Sequence, residues 1–174
     1  LPASLFGSRI EEGTLNCEIC LVEAGLQKIK TLKKHTNSTR NMKIIKVRSK
    51  AREEMIDITR EVEKLLPEKG EGVCVLFVQH TTCGLTINEN ADPDVKKDML
   101  LFLRKTIPQF FEGFQHFEHN SDAHIKSSLV GSNITVPFQN GKLMLGRWQA
   151  VFLCEFDGAR ERTILMQTLI SNSD

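Results

Sequence analysis

Apolar and polar positions divide the chain near Met42. Upstream, Ile19, Val22, Leu26 and Ile29 recur at helical spacing, with Glu18 and Glu23 early and Lys28, Lys30, Lys33 and Lys34 late, the charge order a helix dipole favours. This predicts one amphipathic helix, followed by the polar linker Thr36–Asn41, so residues 1–41 read as an extension and 42–174 as a domain. Within the domain, Ile45 and Val47 alternate as a first strand, and Met55, Ile58, Val62, Leu65 and Leu66 form a helical stripe that ends at Pro67. The Gly70–Gly72 turn leads into Val73–Val78, an apolar run that predicts a central strand buried on both faces. Asp92 before Pro93 is a helix start, and Val95, Met99, Phe102 and Leu103 continue one face for about three turns. Strand signals then dominate: Ile134–Phe138, the Asn140-Gly141 hairpin turn, Lys142–Leu145, Trp148–Phe156 and Thr163–Ile170. Helices early and an antiparallel meander late predict an α+β domain, with helices on one side of a strand-rich sandwich.

Composition narrows the partners. Lys and Arg number 23 against 22 Asp and Glu, so no charge excess drives the chain onto nucleic acid or an anionic membrane. One Trp and no Tyr also argue against a base-stacking surface. Without a secretory signal or a long apolar stretch, the chain is expected to be cytoplasmic, with its five cysteines as free thiols. Cys17 and Cys20 form a lone CxxC, read as incidental because no second pair completes a zinc site.

The chemistry-bearing residues cluster between His80 and His124. His80 directly follows the central strand, where a rigid element can aim a side chain into a cleft. The stretch His116-Phe117-Glu118-His119-Asn120-Ser121-Asp122-Ala123-His124 gathers histidines and carboxylates that suit zinc or another divalent metal, or metal-free proton transfer. Lys126, Ser127 and Ser128 offer a cation and two hydroxyls for phosphate oxygens, as Thr81 and Thr82 do beside His80. The Asp157–Arg162 turn adds Arg160 as an anion-binding candidate.

Three ordered motifs carry a resemblance. His80-Thr81-Thr82-Cys83-Gly84-Leu85-Thr86-Ile87-Asn88-Glu89-Asn90-Ala91-Asp92-Pro93-Asp94-Val95, then His116 to Leu129, then Gly146-Arg147-Trp148-Gln149 resemble the YjbQ-like family, described as secondary thiamine-phosphate synthases. The resemblance covers the chain from about Met42 onward. It implies an α+β sandwich with a mixed, largely antiparallel sheet and helices packed on it, assembled as a homotrimer with clefts near subunit boundaries. It also implies a pocket in which His80, His116 and His124 are metal or catalytic residues, supported by Glu89, Glu118 and Asp122. The leading functional expectation is therefore a thiamine-phosphate synthase-like enzyme acting on a small phosphorylated metabolite, with a divalent metal, zinc or magnesium, as its cofactor. A metal-dependent phosphate-ester hydrolase and a non-catalytic metabolite- or metal-binding protein are the alternatives. Two positions depart from the family pattern: His119 stands where glycine is usual, and Arg147 where a small hydroxyl is usual.

Overall fold

Alternating side chains give this domain two sheets, and the faces they bury set the order of its layers. The computed structural model describes residues 42–171; the predicted N-terminal helix, its linker and Cys17 and Cys20 lie outside the described residues. Among the described residues eight strands form: β1 Lys43–Arg48, β2 Glu54–Asp57, β3 Glu71–Val78, β4 Cys83–Glu89, β5 Asn133–Gln139, β6 Lys142–Leu143, β7 Gln149–Glu155 and β8 Glu161–Ile170. The helices are α1 Thr59–Glu63, α2 Pro93–Thr106 and α3 Ser121–Val130. One sheet runs β1-β8-β3-β5-β6 and the other β2-β7-β4. Every ladder among the described residues is antiparallel, so the sandwich is α+β as expected, without a parallel pair.

The main core lies between the sheets. Cys74, Leu76 and Val78 of β3, Ile164 and Met166 of β8 and Val136 and Phe138 of β5 meet Leu85, Val151 and Leu153 from the smaller sheet. The opposite face of β7, with Phe152 and Cys154, packs on Ala123 and Val130 of α3 and Leu100 and Leu103 of α2. The strand buried on both faces is therefore β7, not β3: Phe77 of β3 is exposed on the outer side of the larger sheet.

Local signals explain most boundaries. Asp92 caps α2 by accepting from the Asp94 backbone N–H at 2.8 Å, with Pro93 in the first turn. Asn140 and Gly141, with φ of +48° and +77°, supply the left-handed pair a two-residue hairpin needs. The helical stripe from Met55 is shorter than predicted, because Glu54–Asp57 pairs with β7 as β2 and Asp57 then accepts from the Thr59 N–H to start α1. Phe102 points outward, and the buried side of α2 uses Leu100 and Leu103 instead. Cys74, Cys83 and Cys154 are free and buried, and burial pushes the Cys83 and Cys154 thiols up to about 12. Among the described residues no helix is long and apolar enough to cross a membrane.

Candidate functional site

Where β3 ends, the ladder with β8 is finished by a side chain. Val78 pairs with Ile164, the Gln79 N–H donates to the Thr163 carbonyl, and the Thr163 N–H then donates to Nε2 of His80 at 2.9 Å. An imidazole nitrogen that accepts a hydrogen bond carries no proton, so the neutral ring must hold its hydrogen on Nδ1. Burial, with Arg162 and other cations nearby, lowers the His80 pKa and favours this neutral form. Among the described residues nothing accepts from its Nδ1.

His80 lines a cleft of about 260 Å³ with Thr81, Thr82, Glu118, Asn120, Asp157 and Arg160. The cleft thus joins the β3–β4 connection, the loop before α3 and the β7–β8 turn. Its floor is an ion pair. Arg162, 2% exposed, donates through Nε to Glu155 Oε2 at 2.7 Å and through Nη2 to Glu155 Oε1 and to the Thr82 hydroxyl. Glu155 also accepts from Ser49 and from the backbone of Phe156 and Asp157. Burial alone would raise the Glu155 carboxyl, but the bonds from Arg162, Asp157 and Ser49 outweigh it and hold the group below its ordinary value.

The cleft wall is mixed in sign. Arg160 donates to the Asp157 carboxylate and carbonyl, both at 2.7 Å, while Asn120 Nδ2 donates to Asp157 at 2.9 Å and Glu118 at 3.1 Å. Those two carboxylates fix the orientation of the amide, and the buried Asn120 Oδ1 is left without a partner among the described residues. An unmet buried acceptor costs about 1–3 kcal/mol.

The histidines expected to act together are distributed along one side. His116 and His124 meet with ring centroids 5.4 Å apart, and His116 Nε2 lies 3.9 Å from Glu118 Oε2. Glu118 therefore links this pair to the His80 cleft. Asp122 takes no part in orienting them: its carboxylate is bound by Arg52, at 2.8 and 3.1 Å, and by Lys126 at 2.7 Å. Lys126 is 0% exposed, lies one helical turn from Asp122, and also binds Glu53 at 2.7 Å, away from the cleft. Ser127 donates to the Cys83 carbonyl and Ser128 to the His124 carbonyl. Glu89 ends β4, about 20 Å of strand from Thr82. Gly84 permits the close seating of α3 on β4, since a Cβ there would fall 2.7 Å from the Gly131 carbonyl oxygen. His119 has φ +54°, the left-handed region glycine favours, and lies outside the cleft.

Among the described residues these side chains do not fit a metal centre. Nε2 of His80 is already occupied by the Thr163 N–H, and among the described residues no group of three or more His, Cys, Asp or Glu side chains is arranged around a common point for an ion. The sequence offered Asn120 within the His116–His124 stretch and Asp157 and Arg162 within an anion-binding turn, but not the roles they take here: Arg162 in a buried ion pair, and Asp157 and Asn120 in the cleft wall. The signal for Arg162 was present: it shares its strand face with Ile164 and Met166, so its charge had to be buried and paired.

The chain matches the family described as "UPF0047 protein YjbQ-like" over residues 43–171. It is 48% identical over 130 residues to the UPF0047 protein YugU of Bacillus subtilis, covering 74% of this chain and 98% of that one. It is 46% identical over 125 residues to a UPF0047 protein of Methanocaldococcus jannaschii, covering 71% and 90%. Among solved structures, a conserved hypothetical protein of Thermus thermophilus superposes with a TM-score of 0.70 at 43% identity, covering 73% of this chain and 99% of that one. A protein of unknown function from Sulfolobus solfataricus gives a TM-score of 0.67 at 30% identity, covering 75% and 96%. These names specify no thiamine-phosphate synthase activity, and among the described residues the donors form no metal site, so the synthase expectation is corrected and its hydrolase and binding-protein alternatives are set aside with it. The similarity in sequence and fold establishes one thing about this chain, that it belongs to the YjbQ-like UPF0047 family.

Proposed function

We propose that the cleft is a metal-free proton-transfer site for a small metabolite bearing an anionic group, such as a phosphate, beside a carbonyl or hydroxyl. The observation that carries this reading is the His80 ring, held neutral with Nε2 accepting from Thr163 and its N–H left for a ligand. A neutral imidazole donor polarises a carbonyl oxygen without first having to lose a proton. The Arg160 guanidinium has donors beyond those given to Asp157, and with the Thr81 hydroxyl it suits the anionic group. Glu118, half exposed at the cleft mouth, is the base. The test is deuterium incorporation from heavy water into a panel of phosphorylated hydroxy-carbonyl compounds, followed by NMR. Exchange with at least one compound should fall by about 100-fold or more in His80→Gln and in Glu118→Gln. Exchange that is absent from the whole panel, or unchanged in both variants, refutes the reading.

The same proposal includes a homotrimer. It is supported by the outer face of the larger sheet, where Ile44, Phe77 and Leu169 are 59%, 43% and 48% exposed and no described element covers them. Native mass spectrometry should show three chains, and a Phe77→Lys, Leu169→Lys double variant should be monomeric with an unchanged circular dichroism spectrum. A monomeric parent protein removes this part of the proposal.

A further inference from the structure

A second groove lies away from the His80 cleft, between the β1–β2 connection, the end of α2 and the loop that follows. One end, about 350 Å³, is lined by Arg52, Glu53, Arg104 and Gln109. The other, about 280 Å³, is lined by Gln109, Phe110, Phe111, Glu112 and Phe114, with His116 and His119 at its side. Gln109 lines both, so the two lie side by side. Each has the size of a small-molecule subsite.

The ends differ in chemistry. Around the first, Arg52, Arg104 and the buried Lys126 form direct ion pairs with two carboxylates, Glu53 and Asp122, so these pairs hold one more cation than anion. Arg104 uses Nε on Glu53, and its two terminal nitrogens have no partner among the described residues. Such a fork accepts a phosphate or carboxylate in two parallel hydrogen bonds. The second end is aromatic: Phe110 and Phe111 are 78% and 58% exposed, and the rings of Phe111 and Phe114 lie 5.3 Å apart at 41°. Exposed phenyl faces cost free energy in water and are stacking platforms for a planar ring. Gln109 donates its Nε2 to the His119 carbonyl, which orients the amide and leaves its oxygen as an acceptor beside Glu112. Those two acceptors suit an exocyclic ring amine.

We infer that this groove binds a planar aromatic anion of the nucleoside monophosphate class, phosphate on Arg104 and base on the Phe111–Phe114 pair beside the exposed Phe110. The occupant is a small molecule because a cationic end of subsite size sits beside a ring-sized aromatic end, the Glu112 carboxylate lying at the aromatic end. The site is independent of the proton-transfer cleft and stands or falls separately from it.

The test is calorimetric titration of the full chain with AMP, adenosine and inorganic phosphate, with NMR mapping of the amides that shift. AMP should bind saturably and on the order of tenfold or more tighter than either fragment, since each end adds roughly a factor of ten. The shifts should fall on Arg104 and residues 109–114 and not on Gln79–Thr82 or Glu118. Arg104→Gln should lower AMP affinity about tenfold and leave adenosine unchanged, while Phe111→Ala should weaken AMP and adenosine alike. Both side chains are exposed, so neither change threatens folding. No AMP binding, AMP no tighter than phosphate, or shifts confined to the His80 cleft would each overturn the inference.

Discussion

Replacing Arg162 with methionine is expected to destabilise the protein by about 3–5 kcal/mol, read from urea unfolding, because it leaves Glu155 charged in a site with no access to water. Glu155 is 0% exposed and would lose its two charge-assisted bonds while keeping those from Ser49 and the backbone. Exchanging both partners for apolar residues of similar volume, Glu155→Leu with Arg162→Met, should recover much of the loss, since the penalty lies in the stranded charge rather than in the missing attraction. The same pair makes the fold acid-sensitive. The Glu155 carboxyl sits below its reference value of 4.5, so its contribution is fully present above that pH and is lost as pH falls through the depressed native value. Arg162→Met should flatten that part of the stability profile. An unfolding midpoint indistinguishable from the parent would mean that the pair beneath the cleft is dispensable.

Lys126→Met should cost less, about 2–3 kcal/mol, although Lys126 is more deeply buried. The difference is redundancy. Asp122 remains bound by Arg52 and Glu53 by Arg104, so neither carboxylate is stranded. Asp122 and Glu53 are each raised by burial, an effect their cationic partners outweigh, so both sit below their ordinary values; losing Lys126 should shift acid unfolding toward higher pH. Urea unfolding at neutral and acidic pH checks both statements. A loss matching that of Arg162→Met would show that the two arginines do not share the load.

Patterns that act over a few residues were readable from the sequence, and those that depend on distant partners were not. Asn140-Gly141 and Asp92-Pro93 specify their structure locally, and the structure places them as predicted; the β3 run forms the expected strand but is buried on one face only. The stripe from Met55 misled because a β-strand followed by one helical turn can mimic a 3.6-residue period over so short a span. β4 was hidden under its functional motif, and β7 owes its burial on both faces to α2 and α3, which no local pattern announces. The site divides in the same way. The position of His80 just past the end of β3 was legible because the strand before it is a strong one. Lys126 looked like a phosphate ligand because its hydroxyl neighbours drew attention, whereas its spacing from Asp122 on one helix face was the better guide. Arg162 takes its meaning from Thr82, eighty residues away in the chain, and from Glu155 across a turn.

The account rests on His80 being a neutral donor, and long-range proton–nitrogen NMR of the ring, followed as pH is lowered, tests this directly. The prediction is a neutral ring protonated at Nδ1, with an unprotonated Nε2 that persists below the pH at which a free histidine titrates. A ring that carries its proton on Nε2, or that becomes an imidazolium near the ordinary histidine value, would contradict the proposed role of the cleft.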